Sequence, residues 1–215
     1  REQPLTLKKY IWKFKMKMKK SIISLGLMSV LAASSAFAAP AESAFTNNNV
    51  VVGYSSVDVD GFDDKLTGFS VDAVHRFAGK NFYGLVNYSS ADVEMMGYTI
   101  DMTEKEFGMG YIYSVNSKFD VNFEAAIINS EAEINGYTMD EGGYRIGAIG
   151  RYMVMPKVEL FAGVDMIEYK EDSIESDTGL TVGVRYSISD KFDAVFEVTS
   201  ADEQTGMMFG ASYRW

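Results

Sequence analysis

The feature that most limits the fold of this chain is a strict alternation of apolar and polar residues, which runs to the last residue. In "MMFGASYRW" (207–215), every second position is Met, Phe, Ala, Tyr or Trp, and the positions between them are Met, Gly, Ser and Arg. Successive side chains of a β-strand point to opposite faces, so this spacing predicts a strand. Because an exposed aromatic edge strand invites pairing with other chains, we expect this strand to have a partner within the fold.

The same alternation recurs as a repeated β-hairpin. Short polar turns with a lysine precede one type of strand, as in "SKFDVNFEAA" (117–126) and "DKFDAVFEVT" (190–199), and longer acidic loops precede a second type, as in "GYRIGAIGRY" (143–152). Each strand has about the 9–11 residues that a tilted membrane strand requires, and an even number places both termini on one side. The ten predicted strands are 49–59, 66–77, 82–93, 104–115, 118–130, 143–155, 157–168, 178–188, 191–200 and 205–215.

The first 38 residues are predicted to lie outside the fold. "MKMKK" (16–20) is a basic segment, a stretch of about twelve apolar residues follows it, and Ala36-Phe37-Ala38 has the A-x-A cleavage pattern. This arrangement predicts a signal peptide over 16–38 and a mature start at Ala39. Residues 1–15 are interpreted as an upstream extension, with a long basic n-region as the alternative.

The remaining chain, 39–215, is predicted to be one all-β domain. No segment after residue 38 approaches 18 consecutive apolar residues. Only α-helices and closed β-barrels satisfy all their backbone polar groups in lipid. If this part of the chain crosses a membrane, it must therefore do so as a closed barrel. The fold predicted is a transmembrane antiparallel up-and-down β-barrel of ten strands, with eight as the alternative.

Alternation alone does not say which face is inside, because a soluble barrel would carry the same charged residues outside. Three features favour lipid on the apolar side, and one is that a predicted signal peptide precedes a domain made only of strands that ends on an aromatic residue. Small glycines fall on the polar face, where they leave room for long charged side chains in a crowded interior. Aromatic residues collect on the apolar face beside the short turns, as expected for a girdle at the lipid–water interface. The predicted girdle comprises Phe77, Phe82, Tyr113, Phe119, Tyr152, Tyr186, Phe192, Tyr213 and Trp215.

The polar face carries thirteen charged residues that we expect to line the lumen. They are Asp72, Arg76, Glu106, Asp120, Glu124, Arg145, Arg151, Glu159, Asp165, Arg185, Asp193, Glu197 and Arg214. Buried ions must pair, since an unpaired one costs several kcal/mol. Near balance of charge favours a salt-bridged network that fills the interior, and the alternative is the lining of a narrow path for ions or small solutes. Arg214 is expected to point toward Glu159 or Asp193.

Over essentially all of 39–215, the chain resembles the small outer-membrane barrels of Gram-negative bacteria, the OmpA and OmpX/Ail-like porin superfamily. The most specific element is "GASYRW", in which Tyr213 precedes the terminal Trp215 by two residues. This ending is similar to the signal by which the outer-membrane assembly machinery recognises its clients. The resemblance implies partners in outer-membrane lipid, lipopolysaccharide, that machinery and periplasmic chaperones. The departure is in strand number, because those barrels have eight.

Composition disfavours several other functions. Residues 39–215 carry 12 basic and 29 acidic residues, which argues against binding of nucleic acid. The chain has no cysteine and a single histidine, His75, so neither a His/Cys metal site nor a histidine-based active site is expected, and no cofactor is implied. Acidic loops such as "DVDGFDD" (58–64) lack calcium-loop spacing and are interpreted as solvated, with Ca²⁺ or Mg²⁺ held between the loops and lipopolysaccharide phosphates as the alternative. We expect a structural or permeability role, with adhesion through loops 94–103 and 131–142 ranked behind it.

Overall fold

The alternating segments form ten β-strands, each hydrogen-bonded along its length to its neighbours. The structure is a computed structural model and describes residue 45 and residues 48–59, 64–78, 80–95, 98–170, 176–201 and 204–215. The strands are β1 (Asn48–Val59), β2 (Leu66–Arg76), β3 (Phe82–Met95), β4 (Tyr98–Asn116), β5 (Phe119–Ile134), β6 (Tyr137–Met155), β7 (Val158–Tyr169), β8 (Asp177–Ser187), β9 (Phe192–Ala201) and β10 (Gln204–Arg214). The predicted count of ten is confirmed, and the alternative of eight is wrong.

The sheet closes on itself because the last strand pairs with the first. Each strand is antiparallel to its sequence neighbours, and β10 pairs with β1 in a register that sets Arg214 opposite Asn49 and Met207 opposite Ser56. The expected partner of the C-terminal strand is thus confirmed. Closure removes both open edges, so the backbone N–H and C=O groups of the terminal strands are paired within the sheet.

The two loops predicted at 94–103 and 131–142 are wrong, because both segments are largely strand. β3 pairs with β4 as far as Met95 opposite Tyr98, which leaves a two-residue connection. β5 and β6 are joined by Asn135 and Gly136, whose φ angles of 51° and 75° suit the tight hairpin turns that asparagine and glycine favour. The Asn135-Gly136 pair is a sequence signal for this tight turn. It was not used because the acidic residues around it suggested a longer loop.

These longer strands make one side of the barrel project beyond the other at the end opposite the short turns. β4 and β6 each have 19 residues, whereas β2, β8 and β10 have 11. The sheet of β3–β6 therefore extends past the ends of β2, β8 and β10.

The predicted signal peptide, the upstream extension and the mature start at Ala39 all lie outside the described residues. So do parts of the acidic connections, at residues 60–63, 171–175 and 202–203. Among the residues that are described, no helix has the length and apolar character needed to cross a membrane.

Candidate functional site in the barrel interior

The inner face of the barrel carries the thirteen charged residues that alternation assigned to it. Arg76 and Arg214 are half-buried beside the short turns. The other eleven are buried: Asp72, Glu106, Asp120, Glu124, Arg145, Arg151, Glu159, Asp165, Arg185, Asp193 and Glu197. Two further buried carboxylates, Glu104 and Asp177, were not predicted to line the lumen and also lie on the inner face. Glu104 is an even number of residues from Glu106, and Asp177 is an even number from Arg185. Residues at even spacing share a face of a strand, so this spacing could have predicted their inward position.

An ion-pair network around Arg145 crosses the middle of the interior. The Arg145 guanidinium donates from Nε to Glu106 Oε1 at 3.1 Å and from Nη2 to the same oxygen. Nη2 also donates to Glu124 Oε2 at 3.1 Å, and the hydroxyl of Tyr83 donates to Glu124 Oε1 at 2.7 Å. The network thus joins β3, β4, β5 and β6 through groups that are almost fully buried, where charge-assisted hydrogen bonds are strong.

A second set of ion pairs lies beside the short turns. Arg151 binds Glu159 through two parallel bonds, Nε to Oε1 at 2.7 Å and Nη2 to Oε2 at 2.8 Å, in the fork geometry that favours arginine. Asp193 Oδ2 accepts from Arg185 Nη1 at 3.2 Å, and Asp193 Oδ1 forms an ion pair with Arg214 Nη2 at 3.0 Å. Of the two partners expected for Arg214, the structure therefore selects Asp193.

Phe45, ahead of β1, is buried against the inner arginine Arg151. Its ring centroid lies 4.6 Å from Arg151 Cζ, within the range of a cation–π contact, and its side chain is 4% exposed. A residue before the first strand thus reaches into the short-turn end of the barrel. Sequence reasoning missed this contact, because Phe45 lies outside any alternating segment.

Large inner side chains fill the space that inner glycines leave free. A Cβ atom at Gly110 would lie 1.9 Å from Cζ of Tyr83, and one at Gly183 would lie 2.2 Å from Cζ of Phe161. Glycine at these positions lets a ring from the neighbouring strand lie flat across the sheet. The glycines therefore make room for aromatic rings as well as for the charged side chains that were expected.

An apolar cluster closes the interior at the projecting end. Its buried members near the strand tips are Val57, Val59, Leu66, Ala91, Val93, Ile100, Met102 and Ala132, with Ile134 and Met139 packed against them. A lumen wide enough for water would leave its lining partly exposed, yet Ile100, Met102, Arg145 and Arg151 are all 0% exposed. Within the described residues, side chains therefore occupy the interior at the projecting end, in the middle and beside the short turns.

Charge inside the barrel is not balanced. Ten buried Asp and Glu side chains face three buried arginines, with Arg76 and Arg214 half-buried at the rim. Within the described part of the chain, neither carboxylate oxygen of Asp165 or of Glu197 accepts a hydrogen bond. Buried polar groups normally find a partner, so these four oxygens are exceptions within the described interior. No three acidic or histidine side chains of the described residues are arranged to hold a metal ion.

The outer face is apolar and carries aromatic residues at both of its borders. The nine predicted girdle residues all face outward near the short turns, with Phe119 the most covered. A second, unpredicted group lies nearer the other end of the strands: Tyr54, Phe69, Tyr88, Phe107 and Tyr144. The single histidine, His75, also faces outward and meets the ring of Phe77 edge-on at 6.4 Å.

These two faces define the class of protein. An outer surface of exposed Leu, Val, Ile, Phe and Met bordered by aromatics, around an interior of paired charges, reverses the arrangement of a soluble barrel. In water this surface would be one continuous exposed apolar patch, whereas in lipid it is the favourable arrangement. The chain is a transmembrane antiparallel β-barrel.

No protein-family model matches the chain, and no curated protein sequence matches it. Among solved structures, the chain is similar to the KdgM porin, with 15% identity, 77% of this chain and 99% of that chain covered, and a TM-score of 0.45. It is also similar to an outer membrane channel from Pseudomonas putida F1, with 12% identity, 83% and 100% covered, and a TM-score of 0.48.

The expected resemblance to Ail-like barrels is also found. The attachment invasion locus protein Ail of Yersinia pestis, in complex with the heparin analogue sucrose octasulfate, matches with 14% identity over 79% of this chain and 100% of that chain, at a TM-score of 0.39. These are likenesses of fold between distant sequences.

Proposed function

We propose that this chain is an outer-membrane barrel with a structural role in the membrane, that its lumen is closed at rest, and that it is not catalytic. The observation that carries the proposal is the filled interior, in which ion pairs at the short-turn end and in the middle are continued by an apolar cluster at the projecting end. A barrel built this way contributes a rigid, sealed element to a membrane and leaves no open path across it.

The proposed orientation places the short turns in the periplasm and the projecting sheet outside the cell. In bacterial barrels the periplasmic turns are the short ones. The chain would be exported by the predicted signal peptide, handled by periplasmic chaperones and inserted by the barrel assembly machinery through its ending at Tyr213 and Trp215. Lipopolysaccharide would surround the outer half, with divalent cations at the acidic connections as a further proposed partner.

The absence of catalysis is proposed from the position of His75. Its imidazole lies on the lipid-facing side beside Phe77 and away from every interior carboxylate, so it does not assemble with a nucleophile. A histidine at this depth suits the membrane interface.

The test is the conductance of purified, refolded protein in planar bilayers. We expect no steps from the wild-type chain, while the folded barrel resists SDS and shifts in gel mobility only after boiling. Steady wild-type steps would overturn the closed-lumen proposal. Loss of the gel shift would instead show that the preparation was unfolded.

A narrow cation path is the second candidate, and the interior charge excess favours it. Arg145 is the only buried arginine in the middle of the described interior, where it pairs with Glu106 and Glu124, and three further carboxylates, Asp72, Asp165 and Glu197, are also buried. If the interior hydrates under voltage, this layer would attract cations and repel anions. Under a salt gradient, any conductance steps should then reverse at a potential that favours the cation, and an anion-selective reversal would exclude this candidate.

A further inference from the structure

Each of the four short turns carries one exposed lysine. Lys80 lies between β2 and β3, Lys118 between β4 and β5, Lys157 between β6 and β7, and Lys191 between β8 and β9. The turns alternate around the closed barrel, so the four ammonium groups are distributed around its whole circumference at one end.

The backbone of every turn lysine is held by a hydrogen bond. The Lys118 carbonyl accepts from Met153 N at 2.9 Å, and the Lys157 carbonyl accepts from Ser187 N at 2.9 Å. The Lys191 carbonyl accepts from Arg214 N at 2.8 Å, and the Lys80 carbonyl accepts from the side chain of Arg76. The lysine side chains therefore extend from fixed points on the rim.

None of these four ammonium groups forms a salt bridge with another described residue. At the opposite end of the barrel, by contrast, Lys65 pairs with Asp58 at 3.1 Å. The turn lysines thus keep their charge available to something outside the protein.

The turn lysines lie at the depth of lipid headgroups. Lys118 and Lys191 directly precede the girdle residues Phe119 and Phe192, which face outward. Aromatic girdles sit at the level of the headgroups, and a lysine at that border extends its flexible side chain toward phosphate. The far end of the barrel is acidic on its outer face, where Asp101 lies directly opposite both Asp92 and Glu133.

We propose that the four turn lysines form a binding surface for anionic phospholipid headgroups in the leaflet that surrounds the short turns. The ligand chemistry is a phosphodiester that bears net negative charge, as in phosphatidylglycerol. Because the opposite end repels such lipids, the surface would also favour one orientation in an asymmetric membrane. The proposal relies on the membrane location proposed above but not on whether the lumen conducts.

Trp215 provides a local probe of this surface. The chain has two tryptophans, so a Trp12→Phe chain retains Trp215 alone. The Trp215 ring stacks on Tyr213 at 6.4 Å, and Tyr213 packs on Phe192 at 5.2 Å, next to Lys191. Lipids that contact this rim and carry a quencher will therefore reduce Trp215 fluorescence.

The experiment refolds the Trp12→Phe chain into vesicles in which either phosphatidylglycerol or phosphatidylcholine carries brominated acyl chains. We expect brominated phosphatidylglycerol to quench Trp215 several-fold more effectively than its mole fraction predicts. Lys191→Gln should reduce that preference by about fivefold, the effect of one basic residue near an anionic surface. Lys191→Arg should retain it, and Lys105→Gln, at the far end, should leave it unchanged.

Equal quenching by the two lipids, or a preference that survives Lys191→Gln, would overturn the proposal. Because the side chain of Lys191 is exposed, each variant should keep the SDS-resistant, heat-modifiable band that shows a folded barrel. Salt on the order of 0.5 M should weaken the preference, since it screens exposed charges. A salt-independent preference would likewise contradict the assignment to the lysines.

Discussion

Replacing Arg145 by methionine should be the most destabilising single change in the interior. The substitution removes the only donors described for Glu106 and one of the two described for Glu124, and it leaves both carboxylates in a water-free site. Removing one partner of a buried ion pair typically costs about 3–5 kcal/mol. We expect a loss of that size, because Arg145 is fully buried and pairs with two carboxylates.

The measurement is urea unfolding of the refolded barrel in lipid vesicles, followed by Trp215 fluorescence and by the heat-modifiable gel band. A matched control combines Arg145→Met with Glu106→Gln and Glu124→Gln, which removes all three charges together. This triple variant should regain most of the lost stability, since it leaves no unpaired charge behind.

The size of the stability loss caused by Arg145→Met also distinguishes an interior filled by side chains from a hydrated one. In a hydrated lumen the same ion pairs would be screened, and Arg145→Met would cost about 0–1 kcal/mol, as exposed pairs do. A loss in that range, or a triple variant no more stable than the single one, would refute the interpretation of the interior as a dry, paired network.

Three further changes test other parts of the barrel. Gly110→Ala should cost about 1–3 kcal/mol in the same unfolding assay, because its Cβ would overlap the ring of Tyr83, and a Tyr83→Ala background should relieve the clash. Val182→Arg places a charge on the lipid-facing side and should cost about 2–4 kcal/mol in vesicles, and an unchanged midpoint would argue against lipid contact there. Phe45→Ala should cost about 0.5–2 kcal/mol through the lost contact with Arg151, whereas Phe45→Trp should be tolerated, as urea midpoints will show.

The strands and their faces were predictable because a barrel strand carries its own signal. The alternation in "MMFGASYRW" gave both the strand and the outward parity of Met207, Phe209 and Tyr213, and the structure has the same arrangement. Period-two patterning depends only on which face each residue occupies, which is a local property of the chain. For the same reason the ten strand bounds agree with the structure to within a few residues, except at the projecting ends of β3–β6.

The features that could not be predicted from the sequence depend on distances between residues of different strands. Glu104 is the first residue of a predicted strand and Asp177 directly precedes another, so neither was assigned to the lumen, whereas the structure buries both on the inner face. The choice of Asp193 as the partner of Arg214 likewise required the register between β9 and β10, which brings the two side chains together at the rim.

The sequence by itself determined the alternating faces of the strands and the pairing of the ends, because each follows from local spacing and from the need to satisfy edge hydrogen bonds, and it favoured ten strands over eight. Alternation alone did not determine whether the charged face is inside, since an inward or an outward assignment satisfies the same period; the aromatic girdle and the glycines of the polar face favoured the inward one. Closure of the ten strands decided that point by enclosing Arg145 with its carboxylates and exposing the apolar face. Only the tertiary structure could also show that the lumen is filled, because filling depends on side chains from opposite walls meeting across the barrel.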